Sequence, residues 1–385
     1  MSVRTFLVVP ILGLGQMVAF ASSYYLLGVL GEPMARAFDL PASAVFAALS
    51  VAFLISAALT PFGGRWIERR GGRRVLGAAH LAFTGALSLI ACAPSGAVLL
   101  AGVALLGLGM SIGMYGTAFA LLVQIHGAAA RRPITAVSLI GALGGGLGWP
   151  VSRMVIEAAD WRTACLVWAT AHLLVCLPLT VLLLPGHRAS APCPKADRAR
   201  PVLWDRRMIQ IAGVFAGGWM VSTAMGAHLP RLLGDLGLNP VHAAWAAGLT
   251  AASAVAARLF DLLVLHRSHP VLTVRIASLF HPLGAALAVA GGARLAPLLA
   301  VGQGLGNGML SVASGVLPLH VFGPDRYAVR QALVLTPARY LQAVAPAAYA
   351  LVIDVSPVAA LTLSSLICFG VFALTLGLGP ARAGR

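Results

Sequence analysis

Gly64-Arg65-Trp66-Ile67-Glu68-Arg69-Arg70-Gly71-Gly72-Arg73-Arg74 packs five arginines and one glutamate into a single short stretch. A charge-free run, 40–64, leads into it, and another, 75–130, follows it. A helix needs about 20 apolar residues to cross a bilayer, so this reads as a polar connection between two crossings. The whole chain repeats the pattern. Of its 385 residues 59% are hydrophobic and only 10% charged, and the mean hydropathy is +0.90. A soluble protein of this length needs a more charged surface than that. Composition therefore excludes an ordinary cytosolic enzyme, a disordered chain and a disulfide scaffold. After Arg4 the chain runs uncharged to Gly31, longer than the apolar core of a signal peptide; it reads as a first spanning helix that is retained.

Charge-free runs place twelve helices, at roughly 5–30, 43–63, 74–93, 96–125, 134–157, 162–184, 208–229, 242–265, 272–292, 295–321, 332–353 and 357–379. Ala93-Pro94-Ser95-Gly96 divides the longest run. Arg and Lys set the orientation. With the N-terminus inside, 20 of the 27 basic residues fall on cytoplasmic segments. The outer loops hold four (Arg36, Arg162, Arg231, Arg294), and Arg153, Arg258 and Arg339 lie within helices. The net charge of +16 follows from that bias, with no need of a nucleic-acid partner.

The longest polar stretch, Pro185–Arg207, is basic and Pro-rich, with six expected helices on either side. It reads as a cytoplasmic linker, giving an N-terminal six-helix half at 1–184, a linker at 185–207 and a C-terminal half at 208–385. The halves echo each other at an offset of about 195 residues. Gly107, Gly109 and Gly113 in the fourth helix answer to Gly302, Gly304, Gly306 and Gly308 in the tenth. Pro150…Ile156-Glu157 answers to Pro346…Ile353-Asp354. Small residues in series allow close helix packing in lipid.

The 64–74 segment resembles the loop motif of the major facilitator superfamily, G-x-x-x-D-[RK]-x-G-x-[RK]-[RK]. It fits at Gly64, Arg69, Gly71, Arg73 and Arg74, with Glu68 in place of the usual Asp. The resemblance implies two pseudo-symmetric halves that rock about a midplane site. A carboxylate at the end of helix two can accept from a helix N-terminus or an Arg at the junction of the halves, and so bias the two access states. Asp160-Trp161-Arg162, Gly306-Asn307-Gly308 and Leu317-Pro318-Leu319…Phe322-Gly323-Pro324…Tyr327 resemble a bacterial branch near the monocarboxylate and oxalate porters. Two antiporter features differ: Val103 stands where an Arg often precedes Gly107, and Trp149 interrupts Gly148…Pro150.

Ionisable groups inside membrane helices are functional candidates. Arg258 and Asp261, three apart in helix eight, share a face. Monocarboxylate porters place an Asp–Arg pair in this helix and bind the substrate carboxylate through the Arg. Here the order is reversed, and a structural ion pair is the competing reading. Arg339 lies one turn from Gln342 in helix eleven, as a substrate ligand or as an Arg snorkelling to the surface. The resemblance lines the cavity with helices one, four, seven and ten, whose midplane polar or aromatic residues are Gln16, Tyr115, Trp219, Ser222, Gln303 and Asn307. Interhelical hydrogen bonding is the alternative role for each. His228, at the outer end of helix seven, is a candidate for coupling. His80, His172 and His281 fall on helices three, six and nine, expected to face lipid or the bundle exterior.

There is no CxxC pair and no metal spacing among the cysteines, and no Walker loop. The Gly302–Gly308 stretch lies within a membrane helix, which rules against a dinucleotide site. The expectation is an all-α membrane protein with twelve transmembrane helices and no cofactor or metal. It acts as a monomeric secondary transporter of a small solute, tilted to an organic anion, in the inner membrane with both termini cytoplasmic. A coupling proton or counter-anion stays open as a further partner. The rival functions are an exporter of drugs or toxic compounds and a non-transporting sensor or scaffold.

Overall fold

The computed structural model describes residues 3–186 and 202–378. Most of the expected linker, 187–201, lies outside them. The described residues form helices and connections, with no strand. We number the α-helices α1 (Val3–Ala19), α2 (Leu27–Arg36), α3 (Ala42–Arg70), α4 (Gly72–Ala91), α5 (Gly96–Gly113), α6 (Tyr115–His126), α7 (Arg131–Ala158) and α8 (Trp161–Thr170). The chain continues with α9 (Arg206–Asp235), α10 (Pro240–Leu263), α11 (Pro270–Gly291), α12 (Pro297–Phe322), α13 (Tyr327–Val355) and α14 (Pro357–Leu376). Wider π-helical turns cover Phe20–Tyr24, Ala171–Cys176 and Leu179–Leu183.

Among the described residues ten stretches are long and apolar enough to cross a membrane. One of them, Gly96–Ala158, contains α5, α6 and α7. α13 is not among the ten; its 29 residues include Pro337 and Pro346 and two arginines, Arg330 and Arg339. Helices suit these sequences because each N–H and C=O is satisfied within its own segment, which lipid demands. Large apolar side chains such as Met154, Leu174, Leu263 and Leu351 are exposed, as suits a lipid-facing surface.

The chain divides into two compact units, Met1–Val202 with Pro324–Leu333, and Leu203–Gly323 with Val334–Arg385. α13 thus starts in the first unit and continues in the second. The first unit has a core around Phe83, Leu99, Val103 and Leu106, the second around Met225, Leu232, Leu299 and Tyr349. The glycine echo has matching geometry in each. A Cβ on Gly107 would run into the Ala52 carbonyl of α3, and one on Gly304, 197 residues later, into the Thr250 carbonyl of α10. Only a bare backbone lets each pair of helices approach this closely.

Several expectations need correction. The 64–74 segment is not mostly loop. α3 continues two turns past the expected end, and only Gly71 leaves the helical conformation, at φ 81°. That left-handed angle suits glycine alone, and the Gly71 N–H closes α3 by donating to Ile67 O at 2.8 Å. The first helix widens into a π turn at Phe20–Tyr24 before α2. The fourth breaks at Met114, which is extended (φ −83°, ψ −178°). The histidines expected at the lipid or bundle exterior are buried instead: His80 is 4%, His172 0% and His281 3% exposed. Hydroxyls on neighbouring helices explain this, because each imidazole finds a polar partner inside its unit.

Candidate functional site

The basic motif meets the start of α13. Glu68 Oε1 accepts from the Val329 N–H at 3.3 Å, and Oε2 lies 3.9 Å from Arg326 Nε. Val329 is in the first turn of α13, where N–H groups lack partners within the helix and a carboxylate is favoured. Gly64 allows the approach, since a Cβ there would meet Ala328 O and Ala332 Cβ at 2.8 Å. Arg73 turns elsewhere and donates to Leu184 O at 3.2 Å. Arg69 and Arg74 are exposed. Sequence reasoning missed Gln124, which clasps the α3–α4 connection. Its side chain accepts from Gly72 N at 3.0 Å and donates to Ile67 O at 3.4 Å.

Gln16 and Tyr115 come together at the break in the fourth helix. In a continuous helix Gly113 O would take the Thr117 N–H; that N–H instead bonds Met114 O at 3.1 Å. Gln16 Nε2 donates to the freed Gly113 carbonyl at 2.8 Å. Its Oε1 is buried and has no hydrogen-bond partner, leaving an acceptor for a ligand or water. Tyr115 donates to Ser138 O at 3.0 Å and stacks on Phe119. Both Tyr115 and Gln16 border Gly141.

In the second unit Ser222 donates to Asn307 Oδ1 at 2.9 Å. Ser222, Asn307, Gln303, Ser278 and His281 line one small cavity. Trp219, one turn before Ser222's neighbour Thr223, is half-buried on the same helix. Arg258 is buried; its Nε donates to Ser311 Oγ and its Nη1 to Ala254 O, both at 3.0 Å. Asp261, fully buried, accepts from Thr273 Oγ1 at 3.2 Å. Thus the pair read as sharing one face makes contacts with α12 and α11 respectively. Gln342 donates to Thr223 Oγ1 at 3.1 Å, and Arg339 is half-buried one turn before it. His228 Nε2 donates to Pro346 O at 2.8 Å. Ser311, Thr273 and Thr223 were not singled out by sequence, since hydroxyls are common in such helices and only packing selects these three.

A sequence model described as Major Facilitator Superfamily matches residues 12–346. The chain belongs to the major facilitator superfamily. Two solved structures have the same fold. The human organic anion transporter MFSD10 (TETRAN) is 17% identical, with a TM-score of 0.72 over 97% of this chain and 100% of that one. The proton:xylose symporter XylE, solved with 6-bromo-6-deoxy-D-glucose, is 12% identical, with a TM-score of 0.77 over 97% and 96%. No curated protein sequence matches. The protein is thus a multi-pass membrane protein of a transporter superfamily, with the all-helical fold that family shares.

Proposed function

We propose that this superfamily member is a secondary active transporter of a small organic anion. It works by alternating access in the inner membrane, with both termini cytoplasmic. The observation that carries the substrate class is Arg339, half-buried inside α13 with the Gln342 amide one turn away. A guanidinium in a helix interior favours an anion, and its planar fork matches a carboxylate. Support comes from the likeness to monocarboxylate porters in the residues around Asp160 and Asn307. The similarly folded MFSD10 is described as an organic anion transporter. The 20-to-4 basic bias supports the orientation.

Counterflow in proteoliposomes tests the reading. With a panel of mono- and dicarboxylates at two pH values, at least one anion should exchange, and the pH comparison separates proton coupling from anion exchange. Exchange of none of them, with cationic or neutral toxic compounds moved instead, overturns the anion assignment in favour of an exporter.

A further inference from the structure

The first unit encloses a side-chain cluster outside the proposed transport site. His80 on α4 and His172 and Cys176 in the π turn Ala171–Cys176 are all buried, and one ligand atom from each lies within 4.8 Å of the others. The two Nδ1 atoms stand 3.0 Å apart. Hydroxyls hold both imidazoles from behind: Ser22 Oγ is 2.8 Å from His172 Nε2, and Thr180 Oγ1 is 3.3 Å from His80 Nε2. Phe83 stacks on the His172 ring at 4.8 Å. Metal-binding imidazoles are oriented in this way, through a partner on the nitrogen that faces away from the metal. Ser22 and Thr180 also lie in π turns, so three of these rare wide turns surround one cluster; such turns collect at functional sites.

We propose that His80, His172 and Cys176 form a binding site for a monovalent soft metal ion, Cu(I). When both Nε2–H groups donate to their hydroxyls, two Nδ1 lone pairs face each other, and a cation between them resolves the conflict. At bond lengths of ~2.0 Å to nitrogen and ~2.3 Å to sulfur, ligand atoms stand roughly 3.5 Å apart. The cluster reaches that spacing by small side-chain rotations. Charge selects the ion. Two neutral imidazoles and one thiolate sum to −1, and among the described residues no carboxylate joins the group. Cu(I) makes the site neutral, whereas Zn(II) would leave a net charge buried among apolar helices. Thiolate and imidazole at low coordination also suit Cu(I). On binding, the Cys176 S–H bond breaks, its proton leaves to solvent and a Cu–S bond forms. One positive charge replaces another and no oxidation state changes.

The second unit supplies an internal control. Ser364 and Cys368 stand 192 residues after His172 and Cys176. There a single imidazole, His281, bonds Ser364 Oγ at 2.8 Å, and the second nitrogen ligand is missing. The test is anaerobic titration of the purified full-length protein in detergent against the coloured Cu(I)–bicinchoninate complex. The wild type should withdraw one equivalent of Cu(I). Cys176→Ser and His80→Gln should each weaken binding by roughly tenfold or more, while Cys368→Ser leaves it unchanged. Ser22→Ala keeps all three ligands and should still weaken binding about ten- to a hundred-fold through the ring it no longer orients, which covers the case of a ligand variant that does not fold. X-ray absorption of the bound metal should show nitrogen and one sulfur. The proposal is overturned if the chelator keeps its copper, if Cys176→Ser binds as tightly as wild type, or if equimolar Zn(II) displaces the Cu(I).

Discussion

Arg339 and Arg258 are both arginines within membrane helices, yet their surroundings differ. Arg258 is buried with its guanidinium spread over Ser311 and the Ala254 carbonyl, whereas Arg339 is only half-buried. A charge-assisted hydrogen bond contributes ~1.5–3 kcal/mol, so Arg339→Ala should weaken anion binding by roughly ten- to a hundred-fold. Arg339→Lys should restore part of it, since the planar fork is lost. Calorimetry with whichever anion passes the counterflow screen measures this, and wild-type affinity in Arg339→Ala would leave Arg339 as a snorkelling anchor. Arg258→Ala should instead lower the thermal unfolding midpoint, because it removes the hydrogen bonds to Ser311 and the Ala254 carbonyl and opens a void in the buried helix interface. At this scale the sequence showed which residues are polar in apolar surroundings: Gln16, Gln303, Asn307 and the arginines. It could not show their partners. Gln16 bonds a carbonyl that exists only because the fourth helix breaks, and the Ser222–Asn307 bond depends on how two helices are rotated.

Among the elements, α13 depends on a residue far from it in sequence. Glu68 caps its first turn, and a carboxylate at a partly buried helix N-terminus contributes up to ~2 kcal/mol. Glu68→Gln keeps an acceptor for Val329 but loses the charge facing Arg326. We expect slower transport with nearly unchanged substrate affinity, because the contact biases conformations and does not touch the solute. Counterflow rate and equilibrium binding, measured on one preparation, separate the two; normal turnover would reduce the motif to a solvated connection. Asp160 offers a simpler case. It caps α8 by accepting from Thr163 N at 2.7 Å, and that backbone hydrogen bond holds its carboxyl below the usual carboxylate range. The folded pKa is lowered, so the cap is fully present above the unfolded value and is lost as pH falls through the folded one. Asp160→Ala should cost ~1 kcal/mol at neutral pH, and the difference from wild type in thermal unfolding should shrink in acid. The all-helical membrane fold and the approximate positions of its helices were legible because lipid enforces length. The breaks and π turns were not: they arise where one side chain or hydroxyl captures a backbone or ring group on another helix, and no local pattern marks such a capture.

The molecule as a whole has an orientation that its charges specify. Twenty basic residues fall on one set of connections and four on the other, and positive residues near helix ends are held on the cytoplasmic side during insertion. Both sets contain sites suited to labelling. Lys195 belongs to the expected linker, and His242, in the first turn of α10, is exposed on a connection of the opposite set. The five native cysteines are replaced first, which removes the copper site and leaves the topology signal clean. In that background Lys195→Cys should resist a membrane-impermeant maleimide on intact cells and react after the membrane is opened. His242→Cys should react on intact cells. The pair matters more than either alone, because a position that never reacts is explained by burial as easily as by sidedness. Reversal of both patterns would turn the molecule over and put Glu68 and the start of α13 on the outer face. Reaction of both positions on intact cells would put 195 and 242 on the same side and so remove the single crossing, 208–229, expected between them. The expected pattern fixes the side of the membrane on which Glu68 meets α13.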